Sequence, residues 1–139
     1  MCQTKSFVAL FDILGFRDLV NNDRLEDVYK VFECLSNLRN GVKEMEEHLA
    51  ALLKTKLLKM LSYSDTFLIY TVDIENMEQK NIYLAFQALL AACDSLFVAA
   101  NENELPIRGA ITAGKIIAAR DIAIGKPIVQ AYDLNFASK

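Results

Sequence analysis

Phe7-Val-Ala-Leu-Phe-Asp-Ile-Leu-Gly-Phe16 is the stretch on which the reading of this chain turns. Five apolar residues run into an acid, Asp12, and a Gly-Phe pair follows three residues later. The run is too short to cross a membrane and rich in strand formers. It therefore reads as a strand buried on both faces. Such a strand has no packing use for a carboxylate at its C-terminal end. A strand end beside a glycine-relaxed turn is a place where a metal or phosphate site can form. A second acid stands in Ser62-Tyr-Ser-Asp65, at the join of two further apolar runs. Two acids delivered by two strands can share Mg²⁺, which binds through one or two carboxylates plus substrate phosphates. The plainer readings are that Asp12 caps the next turn, that Asp65 is a hairpin residue, and that Gly15 is a turn glycine.

Around this stretch the pattern alternates between strand and helix. Ser6–Phe11 reads as a first strand and Gly15–Asn22 as a turn leading into a helix. Asp23 with Glu26 resembles a capping box. The helix that follows shows Leu25, Val28, Phe32, Leu35 and Leu38 on one side. A second helix is expected to about Lys56, with Met45, Leu49, Leu52 and Leu53 facing in. Leu57–Tyr63 and Thr66–Val72 read as a hairpin around Ser64-Asp65. Asn76 with Gln79 opens an alanine-rich helix. Its large residues recur on one face as Ile82, Phe86, Leu89, Cys93, Leu96 and Ala100. Ala85, Ala88 and Ala92 let that helix lie close to a sheet. Its length would suit a membrane span, but Gln87 and Asp94 interrupt it, which favours a core helix and no membrane span. After a polar loop, Asn101–Leu105, come a strand over Ile107–Ala113, a weaker extended stretch over Lys115–Ile124, and a final helix from Gly125-Lys-Pro127.

The order β-α-α-β-β-α-β, then a weak strand and a helix, predicts an α+β fold. The expected architecture is a ferredoxin-like antiparallel sheet with helices on one face. Strand one and the hairpin would lie side by side, so Asp12 and Asp65 can meet at one sheet edge.

With 139 residues, the chain is sized for a single domain spanning 1–139. Hydrophobic residues make up 53% and charged residues 24%, a globular balance. A net charge of −3 and a pI near 5.2 argue against a duplex-binding surface, though not against a pocket for one nucleotide. Cys2, Cys34 and Cys93 form no CxxC, and His48 is the only histidine, so no zinc set is available. Reduced thiols and the absence of a signal-type N-terminus point to the cytoplasm. Cys34 and Cys93 sit on apolar faces and read as core. His48 and the Lys54, Lys56 and Lys59 cluster read as solvated.

Taken together, these landmarks resemble the catalytic domain of class III nucleotidyl cyclases, the adenylate and guanylate cyclase family. Phe11-Asp-Ile-Leu-Gly-Phe16 is similar to the family's first metal motif. Tyr63-Ser-Asp65 occupies the place of the Gly-Asp hairpin that carries the second metal acid. Ile107-Arg-Gly-Ala-Ile-Thr-Ala-Gly114 resembles the family strand read as Arg, a hydrophobic residue, Gly-Ile and a small pair ending in Gly. Gly125-Lys-Pro-Ile-Val-Gln-Ala-Tyr-Asp-Leu134 resembles the helix after the base-contacting loop. The variety looks closest to divergent microbial members, among them pyrimidine cyclases.

The resemblance implies a nucleoside triphosphate substrate, a 3′,5′-cyclic nucleotide product and two Mg²⁺ or Mn²⁺ ions. The ions would be held by Asp12 and Asp65 with help from the Ile13 carbonyl. Backbone N–H groups from Leu14, Gly15 and Phe16 would receive phosphate oxygens. Arg108 would support the sheet or reach phosphate. It also implies a homodimer whose sites are built across two subunits, and a C-terminal part beyond this chain. The departures from the family pattern are specific. The positions of its ribose-orienting Asn and its transition-state Arg hold Val129 and Asp133, which leaves Arg120 as the nearby substitute. The purine-reading Lys aligns with Leu61, with Lys59 on the same strand face. The second base-selecting position aligns with Ile122, beside Asp121. Two further readings stay open: a degenerate cyclase-like domain that binds nucleotide or pairs without turnover, and another palm-type enzyme. Against the diguanylate version of the latter stands the lack of its Gly-Gly-Asp/Glu-Glu-Phe hairpin.

Overall fold

The structure is a computed structural model that describes residues 3–22, 26, 29–30, 33, 57–63, 66–102, 104–119 and 122–137. Apart from residues 26, 29–30 and 33, the expected helices across 25–56, with Cys34 and His48, lie outside the described residues, as do Cys2, Asp23 and the expected hairpin residues Ser64 and Asp65. Arg120 and Asp121 also lie outside them.

The elements follow the apolar pattern. Strand β1 is Gln3–Ile13, helix α1 Phe16–Asn21, β2 Leu58–Tyr63, β3 Thr66–Thr71, α2 Gln79–Glu102, β4 Ile107–Ala119, β5 Ile122–Gly125 and α3 Lys126–Ala137. Among the described residues the strands form one sheet in the order β2-β3-β1-β4-β5, with every neighbouring pair antiparallel. This is the α+β antiparallel sheet expected from the sequence, with β1 between the hairpin and β4. The extended stretch after Ala113 is stronger than its composition suggests. It continues β4 without a break past Gly114, because Ser6 to Gln3 of β1 are there to pair with it.

Side chains of β1 alternate between two apolar layers. Ala9, Phe11 and Ile13 face Ala85, Ala88, Leu89, Ala92, Cys93 and Leu96 of α2. The rings of Phe7 and Phe86, and of Phe11 and Phe97, meet edge to face at 4.9 and 5.3 Å. Each such aromatic pair contributes about 0.5–1.5 kcal/mol beyond its burial. Val8 and Leu10 face the other way, with Leu68, Tyr70 and Ile116, against Ala131 and Ile128 of α3. Helix α2 therefore lies over β1, β2 and β3, while α3 lies over β4, β1 and β5 on the opposite side. The expectation of helices on one face holds for α2 but not for α3. Its physical cause is the doubly apolar β1, which needs cover on both sides.

Helix α2 is long and apolar enough to cross a membrane by length and composition. The face predicted from its spacing is the one packed on the sheet: Leu89 and Leu96 are fully buried, and the small Ala85, Ala88 and Ala92 allow close approach. The helix ends in a Schellman arrangement. The Glu104 amide donates to the Asn101 carbonyl and the Leu105 amide to the Ala100 carbonyl, with Leu105 buried beneath. Glu104 stands at the left-handed position, φ 55°, where a side chain is strained.

Replacing Glu104 with glycine should relieve that strain. We expect Glu104→Gly to raise stability by roughly 0.5–1 kcal/mol in urea unfolding, the scale on which glycine is favoured at such a C-cap. An unchanged or lower midpoint would contradict the cap geometry. A second expectation concerns alkaline pH. Burial pushes the Cys93 thiol up from its ordinary 9.0 to about 11, so the unfolded chain gives up this proton first. Stability is complete below about pH 9 and is lost as pH rises toward 11. Burial raises Tyr70 too, in the same direction. The alkaline fall in urea midpoint should be shallower in Cys93→Ala than in the parent chain.

Candidate functional site

The sheet register fixes what surrounds Asp12. Across one edge of β1, Asp12 pairs with Thr66 of β3; across the other it pairs with Arg108 of β4. Directly opposed residues of an antiparallel pair point to the same face. Asp12 and Arg108 therefore extend the Val8–Leu10 face, the one that α3 covers. Arg108 Nε lies 3.1 Å from Asp12 Oδ1 and 3.3 Å from Oδ2. The two side chains are only 16% and 19% exposed, so water screens this pair less than an ordinary surface bridge. The single Arg108 Nε–H is shared between the two carboxylate oxygens in a charge-assisted contact.

Helix α3 is pinned over this face at both ends. Thr112 Oγ1 donates to the Pro127 carbonyl at 2.6 Å near its start. Near its end the buried Asn135 donates from Nδ2 to the Leu10 carbonyl at 3.2 Å, two residues before Asp12. Gly114 permits the approach, since a Cβ there would stand 2.7 Å from the Pro127 ring. Between the two pins an open cleft of about 420 Å³ is lined by Thr112, Gln130, Asp133 and Leu134, within the range of small-molecule sites.

The turn after β1 is shaped by Gly15, which takes the left-handed conformation with φ 71°. Nothing lies within 4 Å of where a Cβ would project, so the turn is open on that side. One sequence expectation is corrected here. The Leu14 amide donates to the Pro106 carbonyl at 2.9 Å and is committed inside the protein, so it does not serve phosphate. Gly15 and Phe16 are the remaining phosphate candidates. The Ile13 side chain is buried against α2, which leaves only its backbone for the expected ligand role.

Lys59 is exposed and opposite Tyr70, which pairs with Val8. It shares the face of Asp12 but lies four residues away along the strands, roughly 13 Å at the strand rise. The structure thus brings together Asp12, Thr66 and Arg108, and sets Lys59 apart. Asp65, Arg120 and Asp121 fall outside the described residues. Among the described residues no group of three or more His, Cys, Asp and Glu side chains is assembled for a metal. The described donors are one carboxylate and nearby backbone oxygens. Such a set suits Mg²⁺ shared with a second acid and phosphates, not a closed protein cage. The role that sequence reasoning missed is that of Arg108 as the counter-ion of Asp12. Only the β1–β4 register could have revealed it, since 95 residues separate the two in the chain.

No family model matches the chain, and no curated protein matches it. Solved structures do. A bacterial light-regulated adenylyl cyclase is 10% identical, with a TM-score of 0.67 over 99% of this chain and 72% of that one. The guanylate cyclase domain of RhGC from Catenaria anguillulae, solved with GTP, is 14% identical, with a TM-score of 0.57 over 98% of this chain and 75% of that one. A class III adenylyl cyclase-like ATP-binding protein from Pseudomonas aeruginosa is 16% identical, with a TM-score of 0.58 over 97% of this chain and 32% of that one. These likenesses show the fold: the chain has the architecture of a class III cyclase domain.

The Asp12–Arg108 pair generates a stability prediction. In a double-mutant cycle of Asp12→Asn and Arg108→Gln, urea unfolding should give a coupling of about 0.5–3 kcal/mol, the range for residues in one salt-bridge contact. A coupling near zero would show that the pair carries no net stability.

Proposed function

We propose that this chain is a divergent nucleotidyl cyclase domain whose Asp12 and Asp65 bind Mg²⁺ or Mn²⁺ together with a nucleoside triphosphate. The observation that carries the reading is the position of Asp12. On a cyclase-type sheet, it ends the central strand, stands beside the open Gly15 turn, and is in register with Thr66, the residue after Asp65. Divalent cations at such carboxylates supply charge neutralisation for phosphates and activate a hydroxyl as nucleophile. The chain's own part is to hold the cations through Asp12, Asp65 and the Ile13 carbonyl, to receive phosphate oxygens on the Gly15 and Phe16 amides, and to reach the base with Lys59 and Asp121.

Two subunits are expected to complete the site. Val129, Tyr132 and Leu134 of α3 are each more than half exposed, more apolar surface than the sheet-facing side of that helix needs. A twofold dimer would bury the same patch twice.

A second reading, nucleotide binding without turnover, is favoured by Asp133. This acid lines the cleft at the position where the resembled family carries its transition-state Arg. A carboxylate there opposes negative charge developing on phosphate. A solved protein of the same fold is described as ATP-binding and cyclase-like.

Incubation of the protein with Mn²⁺ and each of four nucleoside triphosphates, followed by mass analysis of products, decides between the two. We expect calorimetric Mn²⁺ binding that is lost in Asp12→Ala and Asp65→Ala while the circular dichroism persists. Turnover should be low, since loss of one transition-state donor typically costs about 10²–10³ in rate. If Arg120 substitutes for that donor, Arg120→Ala should abolish the residual turnover and leave Mn²⁺ binding unchanged. Vigorous cyclic-nucleotide production by Arg120→Ala would exclude that role.

A further inference from the structure

Asp12 has two competing claims on its carboxylate. Cation binding needs its oxygens, yet both stand within hydrogen-bond distance of Arg108 Nε. The contact is built into the backbone, because the β1–β4 register sets the two residues directly opposite on one face. Both side chains are largely withdrawn from water, where an unpaired carboxylate is costly. From this we infer that Arg108 is a resident counter-ion that occupies Asp12 when no divalent cation is bound and must be displaced for one to enter. Arg108 thereby sets the cation affinity of the site as a positioning residue. The inference rests on the reading of Asp12 as a cation ligand.

Two effects act in the same direction. A cation must break a charge-assisted contact to reach Asp12, and it must then sit beside a fixed positive guanidinium. Removing the guanidinium removes both. A residue that merely braced the sheet would, when truncated, leave cation affinity unchanged or lower it through disorder. The competition model alone requires affinity to rise.

The test uses the full chain and the metal ion alone. Mn²⁺ binding to the parent protein and to Arg108→Gln is measured by calorimetry, with circular dichroism as the fold check. Binding should tighten roughly tenfold in Arg108→Gln, as expected if displacing the guanidinium costs about 1.4 kcal/mol, and should vanish in Asp12→Asn/Arg108→Gln. Unchanged or weaker binding by folded Arg108→Gln overturns the inference and leaves the cation site standing. Absence of Mn²⁺ binding to both proteins overturns the cation reading of Asp12, and this inference with it. A second measurement needs no variant. Titration of the parent protein with Mg²⁺ should shift the Arg108 Nε–H resonance in step with saturation of the site. A resonance that stays fixed at saturating Mg²⁺ overturns the displacement.

Discussion

Strand β1 is the constraint from which the rest of the structure follows. It is hydrogen-bonded along both edges, and its middle, Val8–Phe11, is buried on both faces. The edges consume its backbone groups in the β3 and β4 ladders. The faces separate odd from even positions. A one-residue slip would send Asp12 into the apolar layer under α2 and bring Phe11 beneath α3. The cost of burying that carboxylate without a partner makes such a slip improbable on energetic grounds. The start of the strand is held as firmly. The Phe7 amide donates to Thr71 Oγ1, and Asp73 Oδ1 accepts from the amides of Lys5 and Glu75.

This double cover explains how a single acid is delivered to a defined place. Asp12 emerges where the apolar layer under α3 ends, and β4 supplies Arg108 directly across from it. Helix α3 stays over that layer because its two polar anchors reach different strands, Thr112 on β4 and the Leu10 carbonyl on β1. The anchors fix both the distance and the rotation of the helix. They also fix which α3 residues border the cleft, including Asp133.

Much of this was legible in the sequence. The apolar run before Asp12, the paired runs around Ser64-Asp65, and the alanine-spaced face of α2 each have a local period that survives folding. What was not legible depended on register or on covering both faces. Val8 and Leu10 look the same in sequence as Ala9 and Phe11, and nothing local says that the even pair requires its own helix. The extension of β4 past Gly114 depends on a partner strand at the far end of the chain. Arg108 could be read as a sheet or phosphate residue. Its pairing with Asp12 appears only once the two strands are aligned.

Charge on the α3 face separates binding from turnover in physical terms. Asp12 and Arg108 cancel locally, and Asp133 adds an exposed negative charge at the cleft. Lys59 lies on the same face but several residues along the strands. A face so balanced offers little net attraction to a polyanionic triphosphate, so cations brought to the acids must provide it. In the proposed site, ground-state binding would draw on that neutralisation and on backbone donors. Acceleration demands more, namely a donor aimed at charge that appears only in the transition state. At the position where the resembled family places that donor, this chain carries an acid. On the proposed reading, the class III architecture suits nucleotide capture on this face, while turnover would need a cation near Asp133.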